Sequence, residues 1–211
     1  MGDKKGSWLQ KVITYIDGFN LYHSIDDLSR RNKSLSYLKW QNLITLSKQF
    51  LSRNDILGNV YFFSAYPYWK PDFMQTHRDY ITILEDLGVK IVLGNFKEKK
   101  VYCNKCHATI TKHEEKQTDV NIALQIMRDC YEGKCDCMQI ISADTDLATP
   151  IKFAKDKGMQ IDIVLPPNRI SNELTDLADK KSNIKIKHLQ NAFLGQSYTL
   201  KNGKILQCPY K

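Results

Sequence analysis

Residues 12–20 read VITYIDGFN, a run of β-branched and aromatic residues that ends at Asp17-Gly18. Such side chains favour a strand, and Asp-Gly favours a turn directly after it. A second apolar run, Met138–Ser142, is likewise followed by an aspartate, Asp144. The sequence therefore predicts two strands that each end beside an aspartate.

Outward from these strands, the chain alternates between strand and helix patterns. Further strands are predicted at 59–66, 89–93, 159–165 and 184–188, and helices at 73–87, 118–132, 145–157 and 172–179. Thr118 and Thr145 are the predicted N-caps of the second and third of these helices. Helical spacing predicts an inward face on the second helix that carries Val120, Leu124, Met127 and Tyr131. The alternation predicts an α/β fold with a mostly parallel sheet covered by helices on both faces.

Length and composition indicate one well-cored domain. The 211 residues are 42% hydrophobic and 26% charged, which are ordinary values for a globular protein. We divide the chain into an N-terminal extension (1–10), a domain (11–190) with an insertion at 97–116, and a basic C-terminal tail (191–211). No apolar stretch approaches the roughly 20 residues that cross a bilayer, and the N-terminus lacks the apolar core of a signal peptide. We therefore expect a cytoplasmic protein with no membrane association.

The charge distribution suggests a polyanionic partner. The net charge is +8, and no Asp or Glu follows Asp179. An acid-free, lysine-rich segment favours a polyanion, because binding releases counterions. A solvated lysine-rich face is the alternative interpretation. The candidate RNA contacts of this segment are Lys180, Lys181, Lys185 and Lys187.

Four aspartates fall where a parallel sheet usually binds ligands, at the carboxyl ends of its strands. Asp17 and Asp144 follow predicted strands, Asp146 begins a helix, and Asp119 lies in the first turn of another helix. Each helix-start aspartate alone could simply favour the helix dipole. Four carboxylates at one rim, however, cannot all stay ionised without a cation. Oxygen-only ligands suit Mg²⁺ or Mn²⁺, which can activate water and stabilise a leaving oxygen.

Three ordered motifs carry a family resemblance: YIDGFNL at 15–21, KQTDV at 116–120 and SADTDL at 142–147, with a weaker match, SNEL, at 171–174. Together they resemble the NYN domain family of the PIN-like nuclease superfamily, over about residues 11–190. The resemblance implies a three-layer α/β/α sandwich of PIN-like, Rossmann-like type, a Mg²⁺ or Mn²⁺ site and ribonuclease activity. The site residues that carry over are Asp17, Asn20, Asp119, Asp144 and Asp146.

These site residues have unequal expected roles. Asp17, Asp119 and Asp144 are the candidate cation ligands. Asp146 is either a ligand or an acceptor that orients a water. Asn20 either contacts the scissile phosphate or fixes Asp17, and an ordinary turn-stabilising asparagine is the alternative.

The insertion contains a Cys-x-x-Cys pair. In a reducing compartment, where thiols stay reduced, such a pair indicates a metal-binding site. Cys103 and Cys106, with His107 or His113, supply three of the four ligands of a tetrahedral Zn²⁺ site. Cys208 or a residue of a second subunit could be the fourth ligand, and in the second case the protein would be a homodimer. The alternatives are an unmetallated surface loop or a redox pair. Cys130, Cys135 and Cys137 are expected to be packing residues.

Aromatic residues beside lysine suggest a contact with unstacked RNA bases. Tyr68, Trp69 and Lys70 leave the second strand at the rim of the aspartates, and Lys116 precedes Asp119. Rings that pack a loop and an ordinary exposed lysine are the alternatives. The sequence thus favours a Mg²⁺- or Mn²⁺-dependent endoribonuclease that acts on single-stranded RNA. A non-catalytic RNA-binding or regulatory NYN module and a small-molecule phosphatase are the competing hypotheses.

Overall fold

The computed structural model describes residues 9–105 and 107–210. Its strands, in chain order, are β1 (Gln10–Asp17), β2 (Asp55–Ser64), β3 (Lys90–Leu93), β4 (Asn95–Tyr102), β5 (Thr109–Lys116), β6 (Cys137–Ile141), β7 (Gln160–Leu165), β8 (Lys180–Asn183), β9 (Ser197–Thr199) and β10 (Ile205–Gln207). Within the described residues, a six-stranded sheet has the order β3-β2-β1-β6-β7-β8. All its neighbouring strands are parallel. The predicted parallel sheet is therefore confirmed.

Helices cover both faces of this sheet. They are α1 (Gly18–Arg31), α2 (Leu43–Lys48), α3 (Pro71–Asp86), α4 (Thr118–Tyr131), α5 (Ala148–Asp156), α6 (Asn172–Leu177) and α7 (Ile186–Asn191), with 3₁₀ turns at Lys33–Lys39 and Thr145–Leu147. Alternate residues of β1 point to opposite faces: Ile16 packs with α1, α2 and α7, whereas Ile13 and Tyr15 pack with α4, α5 and α6. The result is a three-layer α/β/α sandwich, as the sequence predicted.

The strand order places β1 at the point where the chain changes direction across the sheet. It pairs with β2 on one side and with β6 on the other, and Ile16 is opposite Ile141. Asp17, the last residue of β1, and Ser142, which follows β6, therefore lie side by side at the carboxyl edge. Open α/β sheets bind ligands in the crevice at such a point.

The insertion forms an antiparallel hairpin. β4 pairs with β5 from Asn95 opposite Lys116 to Tyr102 opposite Thr109. Strands were not predicted here, because charged side chains occupy both faces of the hairpin and leave no apolar alternation.

Two predictions about single elements are wrong. The face of α4 that carries Val120, Leu124, Met127 and Tyr131 is exposed, with Tyr131 92% accessible, and the buried apolar positions are Ile122, Ile126 and Cys130. Both sets follow helical spacing, so periodicity alone could not choose between them. The last strand of the six-stranded sheet is β8 at Lys180–Asn183, and the predicted strand 184–188 instead enters α7.

The C-terminal segment is folded onto the domain. β9 and β10 form a hairpin, and Leu200 and Leu206 pack with Trp40 and Ile83 in a third apolar cluster. The segment predicted as a tail is thus held by apolar contacts as far as it is described. No helix in the described ranges combines the length and apolar character needed to span a bilayer.

Candidate metal centre

Asp17 is the last residue of β1 and is 4% exposed. It is also the N-cap of α1, and its Oδ1 accepts a hydrogen bond from the Asn20 amide nitrogen at 3.0 Å. Gly18 lets the start of α1 lie close to β2, since a Cβ there would lie 2.5 Å from the Phe63 carbonyl oxygen. The Asp-Gly pair therefore fixes a carboxylate at the edge of the sheet.

Ser142 and Asn20 link Asp17 to the chain that follows β6. The Ser142 hydroxyl donates to Asp17 Oδ2 at 2.9 Å and accepts from the Asp144 amide nitrogen at 3.0 Å. The Asn20 side-chain oxygen accepts from the Ala143 amide nitrogen at 3.2 Å. The Asn20 side chain thus holds the loop beside Asp17, whereas its backbone amide is the group that bonds Asp17.

Asp119 reaches the same edge from the first turn of α4. Gln117, just before the helix, has a left-handed backbone with φ of 80°. The Glu115 carboxylate accepts hydrogen bonds from the amide nitrogen, at 2.9 Å, and the hydroxyl of Thr118. Thr118 is the first helical residue, so its prediction as N-cap is wrong. Glu115 was not predicted as a site residue and holds the turn that carries Asp119.

Asp17, Asp119 and Asp144 form a compact group, with one carboxylate oxygen from each lying within 4.8 Å of the others. Asp144, rather than the predicted Thr145, caps the 3₁₀ turn by accepting from the Asp146 amide nitrogen at 3.0 Å. The Asp146 side chain is exposed and is not part of this group. The structure therefore brings together three of the four predicted aspartates.

Asp17 and Asp119 lie in an environment that disfavours their ionised forms. Burial, with smaller contributions from the charges of Asp119 and Asp144, raises the pKa of Asp17 to about 6 despite the hydrogen bonds from Asn20 and Ser142. Burial and the negative charges of Asp144, Glu115 and Asp146 also raise the pKa of Asp119. Oxygen ligands at this spacing, with surplus negative charge, fit a divalent cation such as Mg²⁺ or Mn²⁺.

A cavity of about 840 Å³ opens over this centre. Aromatic rings form part of its wall: the Trp69 and His113 rings stack at 3.9 Å, and Phe19 and Phe96 meet edge to face at 5.6 Å. Its basic lining residues are Arg30, Lys39, Lys70 and Arg169. Apart from Lys70, sequence reasoning missed these cations, because they come from segments with no motif.

The residues predicted to contact RNA have different surroundings. Trp69 and Lys70 line the cavity, and Tyr68 is 46% exposed beside them. Lys116 forms an ion pair with Glu114 at 3.2 Å. The Lys180 ammonium donates to the Phe50 carbonyl oxygen and the Ser52 hydroxyl. Its contact with RNA stays a prediction. Exposed side chains remain at Lys181, Lys185 and Lys187.

The described candidate zinc ligands do not all lie together. Cys103 and His107 lie near the hairpin tip, whereas His113 lies within β5 against Trp69. Cys208 belongs to the C-terminal apolar cluster, where its Sγ contacts the Tyr210 carbonyl oxygen. Cys106 lies outside the described residues. A zinc site at the tip therefore stays a prediction.

The parallel sheet and its carboxylate centre define a Rossmann-like α/β protein with a candidate cation site at the strand ends. The chain belongs to the NYN domain family, whose family model matches residues 11–185. Membership implies a PIN-like nuclease fold.

The chain is also similar to individual proteins, among them a bacterial enzyme and a solved structure. The chain is 40% identical over 70 residues to 6-hydroxy-3-succinoylpyridine 3-monooxygenase HspA of Pseudomonas putida (strain DSM 28022 / S16), a match that covers 31% of this chain and 22% of that protein. Its fold resembles the crystal structure of a protein of unknown function from Vibrio parahaemolyticus RIMD 2210633. That match has a TM-score of 0.55 and 17% identity and covers 86% of this chain and 96% of the other. Such low identity shows the fold alone.

Proposed function

We propose that this protein is a Mg²⁺- or Mn²⁺-dependent endoribonuclease that hydrolyses single-stranded RNA. The observation that carries the proposal is the group formed by Asp17, Asp119 and Asp144 at the carboxyl edge of an NYN-domain sheet. These three side chains would hold the cation. When bound, a divalent cation supplies an activated water and neutralises charge on the phosphodiester.

The chain's own residues would position the reacting groups. Ser142 and Asn20 hold Asp17 and the 142–144 loop in register through direct hydrogen bonds. Asp146, which is exposed beside the centre, would accept a hydrogen bond from a water and orient it toward the phosphate. This is the second of the two roles expected for Asp146.

The cavity above the centre supports a nucleic-acid substrate. Stacked aromatic rings offer surfaces for unpaired bases, and lysine and arginine side chains offer contacts for phosphates. A small-molecule phosphatase would not require this combination. The activity named for the Pseudomonas putida relative is not extended to this chain, because the match spans about a fifth of that protein.

Circular single-stranded RNA tests the proposal, because only an endonuclease can open a circle. With Mn²⁺ we expect linear products of full length, followed by shorter fragments, and EDTA should stop the reaction. A preparation that binds the circle but leaves it intact with either Mn²⁺ or Mg²⁺ would favour the competing hypothesis of a non-catalytic RNA-binding module.

A further inference from the structure

A second cleft of about 810 Å³ lies at the same edge of the sheet, beyond the carboxylate centre. We call it the basic cleft; its charged lining residues are Arg31, Arg169, Lys181 and Lys185. It runs between the turn that follows β7 and the end of β8, since both Leu165 and Asn183 line it. The described residues contribute no Asp or Glu side chain to its lining. A cleft lined by one sign of charge concentrates the opposite charge.

Arg169 connects the basic cleft to the carboxylate centre, because it lines both cavities. Its turn is anchored to α1 in two places. The Ser24 hydroxyl donates to the Pro167 carbonyl oxygen, and the Arg169 guanidinium forms an ion pair with Asp27 at 2.8 Å. The border between the two cavities is therefore a fixed part of the fold, held to α1, the helix that Asp17 caps.

The other three cations are available to a ligand. Among the described residues, none of Arg31, Lys181 and Lys185 forms an ion pair with a carboxylate, and all three side chains are exposed. Ser171 also lines the cleft, and its buried hydroxyl has no hydrogen-bond partner in the described part of the chain. Buried polar groups normally have partners, so this hydroxyl suggests a missing one.

The lining also contains apolar surface that suits nucleobases. Ile170 is 84% exposed and Ile186 is 39% exposed, and both line the basic cleft. Free phosphate would need only the cations. A single strand offers phosphates to the cations and base faces to exposed apolar side chains.

We infer that the basic cleft binds the sugar-phosphate backbone of single-stranded RNA at nucleotides that flank the scissile phosphodiester bond. The RNA strand would run from the carboxylate centre past Arg169 to Lys181 and Lys185. This inference rests on the proposed function for its choice of RNA, and it assigns to Arg31, Arg169 and Ser171 a binding role that the sequence motifs do not indicate.

The test compares two triple variants with the same change in charge. Arg31→Gln/Lys181→Gln/Lys185→Gln removes cations of the basic cleft, whereas Lys48→Gln/Lys90→Gln/Lys152→Gln removes exposed lysines that line neither cavity. Fluorescence anisotropy measures the affinity for a labelled single-stranded RNA over a range of salt concentrations. EDTA keeps the RNA intact during the measurement.

For the cleft variant we expect at least about tenfold weaker binding and a log–log salt slope that is shallower by about two, at roughly 0.7 per lost phosphate contact. The control variant should keep the wild-type slope. Equal effects in both variants, or no effect in either, would overturn the inference. Equally effective competition by a polyglutamate of the same length would also overturn it, because the cleft would then fit an acidic protein partner.

The outcome is separable from catalysis. If wild-type protein leaves circular RNA intact but the two variants differ as expected, the nuclease proposal fails and the basic cleft stands. If the RNA is cleaved but the cleft variant binds like the wild type, the cleft assignment fails and the nuclease proposal stands.

Discussion

The carboxyl group of Asp17 shows the conflict between burial and ligand chemistry at the scale of one residue. It lies almost wholly out of water, and its two oxygens accept hydrogen bonds from Asn20 and Ser142. These bonds favour the ionised form, but burial outweighs them and raises the pKa to about 6. A cation would remove this cost, so the residue is suited to a state in which a cation is bound.

This balance predicts how Asp17→Asn changes stability with pH. In EDTA, the folded state holds the Asp17 proton up to about pH 6, whereas the unfolded chain releases it near 3.8. The wild type should therefore lose stability between these values relative to the variant, by at most about 3 kcal/mol when fully ionised. Urea denaturation of both proteins at pH 4 and pH 7 measures the difference. An identical difference at the two pH values would show that Asp17 is not perturbed.

Among individual residues, the site positions that could be predicted from the sequence are those that belong to a motif. The positions of Asp17, Asp119 and Asp144 could be predicted, because each follows a strand or begins a helix. Arg169 and Glu115 could not be, since their proximity to the centre depends on how a turn and a hairpin pack. A single lysine or arginine carries no periodic signal that would reveal such a contact.

At the scale of elements, α4 shows what helical spacing leaves undetermined. Residues 120, 124, 127 and 131 and residues 122, 126 and 130 both recur at helical intervals, and both sets are mainly apolar. The sheet selects the second set, because Ile122 and Ile126 lie in one buried apolar cluster with Tyr15 of β1 and Ile140 of β6. The position of edge strand β8 was predicted wrongly for a related reason. Its sequence, KKSN, has no apolar face that a periodic pattern could reveal.

The two faces of α4 should respond differently to truncation. Ile126→Ala removes a fully buried side chain and should lower the free energy of unfolding by about 2–5 kcal/mol. Leu124→Ala, at a position that is 60% exposed, should change it by less than about 0.5 kcal/mol. Chemical denaturation of both variants provides the comparison. A larger loss for Leu124→Ala than for Ile126→Ala would reverse the assigned orientation of the helix.

At the scale of the whole molecule, the fold places opposite charges along one edge. The carboxylate centre lies after β1 and β6, and the basic cleft lies after β7 and β8. A cation would neutralise the first, while the second offers contacts to a polyanion. The parallel sheet could be predicted from the alternation of strands and helices. The path between the two sites could not, because it is built from turns that are distant from the motifs in sequence.

The central claim is that Asp17, Asp119 and Asp144 would hold a divalent cation on which the hydrolysis of RNA depends. Its most direct test is the single-turnover cleavage rate of single-stranded RNA in saturating Mn²⁺ for wild type, Asp144→Asn and Asp156→Asn. Asp156 is an exposed aspartate that does not line the cavity, so its variant controls for the loss of one charge. We expect Asp144→Asn to lose at least about 100-fold in rate, since removing a charged group from the reacting centre costs about 2.7 kcal/mol or more. Asp156→Asn should cleave at the wild-type rate. Cleavage by Asp144→Asn at the wild-type rate would contradict the claim.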